Sequence, residues 1–371
     1  MSPTLPSSSG LPSPGDRGRR FDASSDASSD IGPSSDVPVP LPGLDAGKQF
    51  DAVSAPDKTV YRRETVGVGE AASEQVHRRR VWIPILLFVL TCASTFFVGA
   101  SRWMPTEIFE ACLNEFDLMP VRRAIYSHWD DGLIYMCGVI AILLTHEMGH
   151  FVMTLVYRVR SSYPFFIPLP ISPIGTMGAV IAMDGRKANR KEIFDIGLAG
   201  PLAGLVVAIP ILVLGTWQLS FDQSRAGGFS VGLPLSVHML LSYGQASGYQ
   251  PGQGVAVAQA NPLFMAGWVG LLVTGLNMLP VSQLDGGHVT YALLGRRAHW
   301  LARAFMLGVF AYMAISGNMM WVIMALLVLM MGTDHPPTSD DTVRLGPVRT
   351  VIGWLSLLIP LFCFTPQAIM P

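Results

Sequence analysis

The stretch ILLTHEMGHFVMTLV, from Ile142 to Val156, decides how the rest of the chain is interpreted. Its polar centre holds two histidines four residues apart, His146 and His150, with Glu147 beside the first. Residues at i and i+4 lie one turn apart on the same helix face, so both imidazoles can reach one metal ion. Glu147 is then placed to act on a water at that ion. Ionisable residues within an apolar span are costly and usually functional, so the stretch predicts a metal site with its own base.

The amino-acid composition indicates whether this site lies in a membrane or in a soluble protein. Half of the 371 residues are hydrophobic, only 14% are charged, and the mean hydropathy is +0.42. A soluble domain carries about 25% charged residues, and several apolar runs here approach the ~20 residues that cross a bilayer as a helix. These features predict an all-α polytopic membrane protein. A net charge of -1 provides no basic field for nucleic acid.

The chain divides into a tail and a membrane domain. Residues 1–75 are rich in Ser, Pro and Asp; such a segment cannot bury a core, so we expect disorder. Residues 76–371 are expected to form the membrane-embedded domain. It should contain seven transmembrane helices, or six if the short run 318–332 pairs with its predecessor as a hairpin. The predicted spans are 81–100, 132–157, 193–216, 261–294 (interrupted), 300–316, 318–332 and 349–369.

Basic residues predict the orientation. They cluster before the first span and in the loops after the second and fourth, whereas residues 217–260 contain only Arg225. Positive charge favours the cytoplasmic side. The N-terminus, the segments 158–192, 295–303 and 333–349, and the active site are therefore expected to face the cytoplasm.

One apolar connection cannot be a spanning helix. The segment from Tyr163 to Met183 contains four prolines, with Gly175 and Gly178 near its β-branched end. It predicts a short β-hairpin or loop at membrane depth, which is tolerated only against protein or a wet cavity. We therefore expect a cavity beside the HExxH helix.

A catalytic zinc usually takes three protein ligands, and Asp285 is the best candidate for the third. It is the only carboxylate between Asp222 and Asp334. Pro280 breaks the helix before it, and Gly286 and Gly287 loosen the backbone after it. An unwound turn of this kind can carry a polar group into a membrane site.

HEMGH in one span and Asn277-x-x-Pro280-x-x-x-Leu284-Asp285-Gly286 in a later one resemble the site-2 protease family, peptidase M50. Its members are intramembrane zinc metalloproteases, and the chain looks most similar to the bacterial and chloroplast branch without PDZ domains. The resemblance implies one Zn²⁺ per chain, with His146, His150 and Asp285 as ligands and Glu147 as the catalytic acid/base.

The resemblance also implies roles for neighbouring residues. Asn277 would hold substrate or the developing oxyanion, and the strand around Gly175 and Gly178 would receive extended substrate. His288, three residues after Asp285, and His335 are weaker candidates for a supporting role around the site. Gly200 and Gly204 form a GxxxG pattern that we interpret as helix packing.

The sequence is compatible with two functions. The first is hydrolysis of peptide bonds in or near transmembrane segments, as in regulated intramembrane proteolysis, with single-span membrane proteins as substrates. The alternative is a metal transporter or another non-proteolytic metal-binding membrane protein. The lipid bilayer is the expected environment, a bacterial inner (plasma) membrane the expected location, and the oligomeric state is not predicted.

Overall fold

The computed structural model describes residues 81–221, 228–244, 248–281 and 283–370. The tail predicted to be disordered, residues 1–75, lies outside the described residues. The described part of the chain is mostly helical. Its helices are α1 (Trp82–Ala100), α2 (Pro105–Glu115), α3 (Met119–Ser127), α4 (Trp129–Val156), α5 (Arg190–Trp217), α6 (Leu235–Tyr243), α7 (Pro262–Asn277), α8 (Asp285–Leu294), α9 (Ala298–Ser316), α10 (Val322–Met331), α11 (Pro347–Ser356) and α12 (Ile359–Cys363). Its strands are β1 (Phe165–Leu169), β2 (Gly175–Val180), β3 (Ser230–Val231), β4 (Val255–Ala256) and β5 (Ile369–Met370).

Four helical stretches in the described residues are long and apolar enough to cross a membrane. They are α1, α4, α5 and the continuous stretch Asp285–Ser316, in which α8 runs on into α9. Three shorter apolar stretches, Pro262–Asn277, Val322–Met331 and Pro347–Cys363, coincide with other predicted spans. The count of seven or six crossings stays a prediction.

Local sequence explains where α5, α7 and α8 begin and end. Asn189 and Glu192 form a capping box at the start of α5. Asn261 caps α7, which ends at Asn277, and α8 begins at Asp285 after a break that contains Pro280. The helix is therefore interrupted within the predicted 261–294 span, immediately before Asp285, the expected third ligand.

Arg190 fixes the far end of α8. Its guanidinium Nε donates to the carbonyl oxygen of Ala292 at 2.6 Å, and its Nη2 donates to that of Leu293 at 3.1 Å. A cation that binds the last carbonyls of a helix satisfies acceptors without an intrahelical partner and complements the helix dipole. The start of α5 and the end of α8 are thus held together.

The centre of the fold is the mutual packing of α4, α5 and α7. Small residues lie where these helices meet. A Cβ on Gly149 of α4 would stand 2.6 Å from the carbonyl oxygen of Ala199 on α5, and one on Gly267 of α7 would stand 2.6 Å from the Cα of Leu212. Glycine thus allows the backbones to approach closely, which is how helices gain packing energy in a membrane.

Strands β1 and β2 form a two-stranded antiparallel sheet in the proline-rich connection after α4. The turn between them is tied to the helices: the Tyr135 hydroxyl donates to the carbonyl oxygen of Ile174 at 2.8 Å, and the Ser94 hydroxyl donates to that of Gly175 at 2.6 Å. The sheet therefore stands against α1 and α4. Its depth in a membrane stays a prediction.

A second small sheet was not expected from the sequence. Strands β4, β3 and β5 pair in that order, both pairs antiparallel. Trp268 of α7 donates its indole N–H to the carbonyl oxygen of Gly232 at 2.8 Å, next to this sheet. Buried side chains such as Val231, Val255 and Phe264 join the sheet to the main hydrophobic core.

The close α4–α5 contact gives a stability prediction. Gly149→Ala places a methyl group against the α5 backbone and should lower the free energy of unfolding by about 1–3 kcal/mol. Gly308→Ala in α9 is the matched control, because its Cβ would meet nothing within 4 Å and alanine favours helix. Thermal unfolding in detergent should show a lower Tm for the first variant only; equal Tm values would contradict the packing described.

Candidate metal centre and active site

Helix α4 carries the two histidines on one buried face. The ring centroids of His146 and His150 are 5.0 Å apart, and their side chains are 3% and 12% exposed. The distance follows from helical i, i+4 geometry, in which successive turns place side chains above one another. Both rings therefore face the same point.

Asp285, the first residue of α8, meets them there. Its Oδ2 lies 3.2 Å from Nε2 of His146, and its Oδ1 lies 3.3 Å from Nε2 of His150. One ligand atom from each of the three residues lies within 4.8 Å of the other two. Among the described residues this is the cluster that could hold a metal ion, and it unites the three predicted ligands.

The hydrogen bonds of His150 test whether a metal fits. Its Nδ1 donates to the carbonyl oxygen of Ile196 at 2.8 Å, so Nε2 of the neutral ring carries a lone pair. That lone pair faces an oxygen of Asp285 at 3.3 Å, so the two atoms need a cation between them, either a proton on Nε2 or a metal ion. Two imidazole nitrogens and a carboxylate oxygen suit Zn²⁺, and the Ile196 carbonyl fixes the ring for binding.

Glu147 and Asn277 complete the polar part of the site. Glu147 is 4% exposed and lines the same cavity as the three candidate ligands. Asn277, the last residue of α7, places Nδ2 3.3 Å from Nε2 of His146. The end of α7 and the start of α8 thus carry an amide and a carboxylate to the histidine pair.

The cavity has a volume of about 370 Å³. Its walls come from the sheet, from the α7–α8 break and from α10. Strand β2 contributes Gly178 and the residues around it, and α10 contributes Met324, Leu327 and Val328. The expected cavity beside the HExxH helix is therefore present, and both polar and apolar side chains line it.

The two glycines predicted to receive substrate lie in different places. Gly178 lines the cavity, with a φ of +101° and open space where a Cβ would stand. Gly175 is buried against α1, where a Cβ would stand 3.0 Å from the Cα of Thr95. Gly175 thus shapes the turn, and Gly178 is the one at the cavity.

The GxxxG pattern in α5 packs against the histidines. A Cβ on Gly200 would overlap the imidazole of His150, and one on Gly204 would stand 3.1 Å from Nδ1 of His146. The GxxxG spacing correctly predicted close packing at this helix face, but it did not predict that the histidine rings pack there. These glycines make the space that the two rings occupy.

The two weaker candidates are joined to each other. His288 lines the cavity, and its Nδ1 lies 2.6 Å from Nε2 of His335, which is 6% exposed. His299, which no sequence motif indicates, directs Nε2 to the carbonyl oxygen of His335 at 3.2 Å. His288 and His335 are 47 positions apart in the sequence, so no local pattern could have predicted this contact.

The sequence that forms this site matches a known protein family. Residues 134–317 match the family model described as "Peptidase family M50". That range contains both histidines, Glu147, Asn277 and Asp285. No solved structure gives a significant match to the chain.

Curated plant proteins are similar over longer stretches. "Probable zinc metalloprotease EGY1, chloroplastic" of Arabidopsis thaliana is 28% identical over 300 residues, covering 76% of this chain and 53% of the relative. The protein of the same name from Oryza sativa subsp. japonica is 35% identical over 225 residues, covering 58% and 38%. "Probable zinc metalloprotease EGY2, chloroplastic" of Arabidopsis thaliana is 27% identical over 251 residues, covering 65% and 44%.

The chain spans about half, or less, of the length of these relatives. The match to the family model includes the α4, α7 and α8 residues that form the candidate metal centre. Through residues 134–317, this chain belongs to peptidase family M50, the site-2 protease family.

Proposed function

We propose that this protein is an intramembrane zinc metalloprotease that hydrolyses peptide bonds in or near transmembrane segments of membrane proteins, as in regulated intramembrane proteolysis. One observation carries the proposal. The ligand atoms of His146, His150 and Asp285 lie within 4.8 Å of one another, and Glu147 and Asn277 line the same cavity. Membership of the M50 family supports it.

Each residue of the site has a chemical task. A bound Zn²⁺ would polarise the scissile carbonyl and acidify a water. Glu147 takes the proton of the attacking water and passes it to the leaving amine. Asn277 directs its amide N–H groups at the developing oxyanion. Asp285 lowers the net positive charge of the centre, and His150 is oriented by its bond to the Ile196 carbonyl.

Strand addition would position the substrate. In the described residues β2 pairs with β1 on one side only, and Met177 to Ile181 line the cavity. A substrate helix must unwind locally before it is cut, because its amides are bonded within the helix. An extended peptide could then pair with the β2 edge, which satisfies its main-chain groups away from water.

The environment follows from the apolar helices and the basic loops. We propose single-span membrane proteins as substrates, a bilayer as solvent, and a site nearer the cytoplasmic face, because the basic segments 158–192 and 295–303 follow α4 and α8. The relatives reported above carry the word chloroplastic in their names, so the bacterial inner membrane stays a prediction.

Glu147→Gln tests the catalytic role. The amide cannot accept the water proton, so we expect cleavage of a single-span reporter protein to fall by at least about 100-fold. Zinc content should stay at the wild-type level, because Glu147 is not a proposed ligand. Cleavage in proteoliposomes and metal content by mass spectrometry are the measurements. A variant that still cuts at the wild-type rate would contradict the proposal, and metal transport by both forms would favour a transporter.

Asp285→Asn tests the third ligand. Loss of the carboxylate charge should reduce bound zinc from about one ion per chain to a small fraction, with activity lost in parallel. Asp195→Asn is the matched control, because the Asp195 side chain is 16% exposed against 14% for Asp285 but pairs with Arg349 instead. The control should keep its zinc. Equal metal content in both variants would show that Asp285 is not a ligand.

Gly178→Ala tests the β2 edge. A side chain at a φ of +101° is strained, so the edge should distort and KM for the reporter should rise several-fold. Gly317→Ala, at the end of α9, introduces similar strain at a φ of +67° in open space outside the cavity. It should leave KM within about twofold of wild type. A normal KM for Gly178→Ala would argue against strand addition.

A further inference from the structure

His335 lies in the segment 332–346 between α10 and α11, outside the proposed spans. Its two ring nitrogens both have partners. Nδ1 is 2.6 Å from the carbonyl oxygen of Pro336, and Nε2 is 2.6 Å from Nδ1 of His288. The ring also stacks on Tyr291, with centroids 4.3 Å apart. It is therefore held in one position.

These contacts determine which atom donates in each bond. A carbonyl oxygen can only accept, so Nδ1 of His335 carries the proton. In the neutral ring Nε2 is then the acceptor, and Nδ1 of His288 must donate to it. The neutral His288 ring has its one proton on Nδ1, so its Nε2 carries a lone pair. The Pro336 carbonyl oxygen and the two ring nitrogens of His335 thus determine the tautomer of His288, which lines the cavity.

The surroundings favour a neutral His335. Burial lowers the pKa of His335 from its usual range, and the nearby His299 acts in the same direction, while the bond to Pro336 and the charge of Asp341 oppose them. Asp341 also accepts a hydrogen bond from the Tyr291 hydroxyl at 2.9 Å. Because the net effect lowers the pKa of His335 from a usual value of 6.5, the neutral ring predominates at pH 7.

His288 is close to the candidate metal centre but is not part of its ligand set. It follows Asp285 by three residues on α8 and lines the same cavity. The group whose ligand atoms lie within 4.8 Å of one another contains His146, His150 and Asp285, without His288. Because Nδ1 is bonded to His335, Nε2 is the ring nitrogen with which His288 can accept a hydrogen bond at the cavity that it lines. The proposed metal chemistry does not use this acceptor.

A peptide in the cavity needs such an acceptor. An extended peptide has N–H groups along both edges, and pairing with β2 satisfies only one of them. In an apolar cavity an unpaired N–H costs free energy. The lining includes the apolar residues Leu327, Val328 and Met331, and His288 is a polar lining residue that is not among the proposed ligands.

We propose that His288 accepts a hydrogen bond from a substrate peptide N–H, and that His335 is the positioning residue that keeps His288 in the tautomer required. This inference rests on the proposed protease function and adds how that site binds its substrate. His335 need not touch the substrate. It acts through the ring of His288.

Paired substitutions at His335 test the proposal. His335→Leu removes the acceptor for His288, so KM for a single-span reporter should rise roughly ten- to a hundredfold while kcat changes little. His335→Gln retains a carbonyl oxygen that can accept the same N–H, and should recover most of the loss. Zinc content should stay at the wild-type level in both.

Asp334→Asn is the control for disturbance of the same segment. It weakens the exposed ion pair between Asp334 and Arg303, whose atoms are 2.7 Å apart, and leaves His335 in place. KM should stay within about twofold of wild type. A normal KM for His335→Leu would overturn the proposal, as would a His335→Gln variant as impaired as His335→Leu.

Ring ¹⁵N spectra of histidine-labelled protein provide a readout that needs no substrate. Wild type and His335→Gln should show His288 protonated on Nδ1, whereas His335→Leu should show a mixture of tautomers. A wild-type His288 protonated on Nε2 would overturn the proposal. If the tautomer is as expected but wild type and Glu147→Gln are equally inactive, the protease function fails and the substrate bond with it, while the positioning of His288 by His335 stands.

Discussion

The contact of the Asp285 carboxylate with the two imidazoles of α4 is the arrangement on which the rest of the structure depends. It joins three ionisable groups in a setting where each alone would be costly. The oxygens lie 3.2 Å and 3.3 Å from the histidine nitrogens. Holding them there requires a helix that begins at Asp285, a break before it, and room on α5 for both rings. Different residues satisfy each of these requirements.

Glycines of α4 and α5 provide the room for the histidine rings, and an arginine holds the helix that carries Asp285. Gly200 and Gly204 leave the space that the histidine rings fill, and Gly149 brings the backbones of α4 and α5 together. Arg190 binds the last carbonyls of α8, so the helix that carries Asp285 is held at its far end as well. The polar centre is thus supported by residues that do not touch a substrate.

Local patterns in the sequence predicted the site better than the fold around it. HExxH is readable because its spacing is that of one helical turn, and Asp285 could be identified because it is the only carboxylate in a long interval. Hydropathy predicted the positions of α1, α4 and α5 within a few residues. The predicted span 349–369 is instead divided into α11 and α12, which ends at Cys363, and α8 continues into α9 where two spans were predicted. The β2 edge at Gly178 was expected, although Gly175 lies against α1 instead of at the cavity.

Contacts between residues far apart in the sequence could not be predicted from local patterns. Strands of two residues such as β3 and β5 carry no periodicity, and their pairing joins segments more than 130 residues apart. The GxxxG spacing identified a helix face but not the histidines that occupy it. The contact between His288 and His335 depends on how segment 332–346 folds back, which no local rule describes.

The break between α7 and α8 has a further consequence for how the chain is connected. A metal ion held by His150 and Asp285 would close a loop of 135 residues, which is the separation of these two ligands in the sequence. It would act as a reversible cross-link that restricts the unfolded chain and is lost when the ion leaves. The metal-free and metal-bound proteins would therefore differ in how easily α8 separates from α4, so the ion that supplies the chemistry would also hold these two helices together.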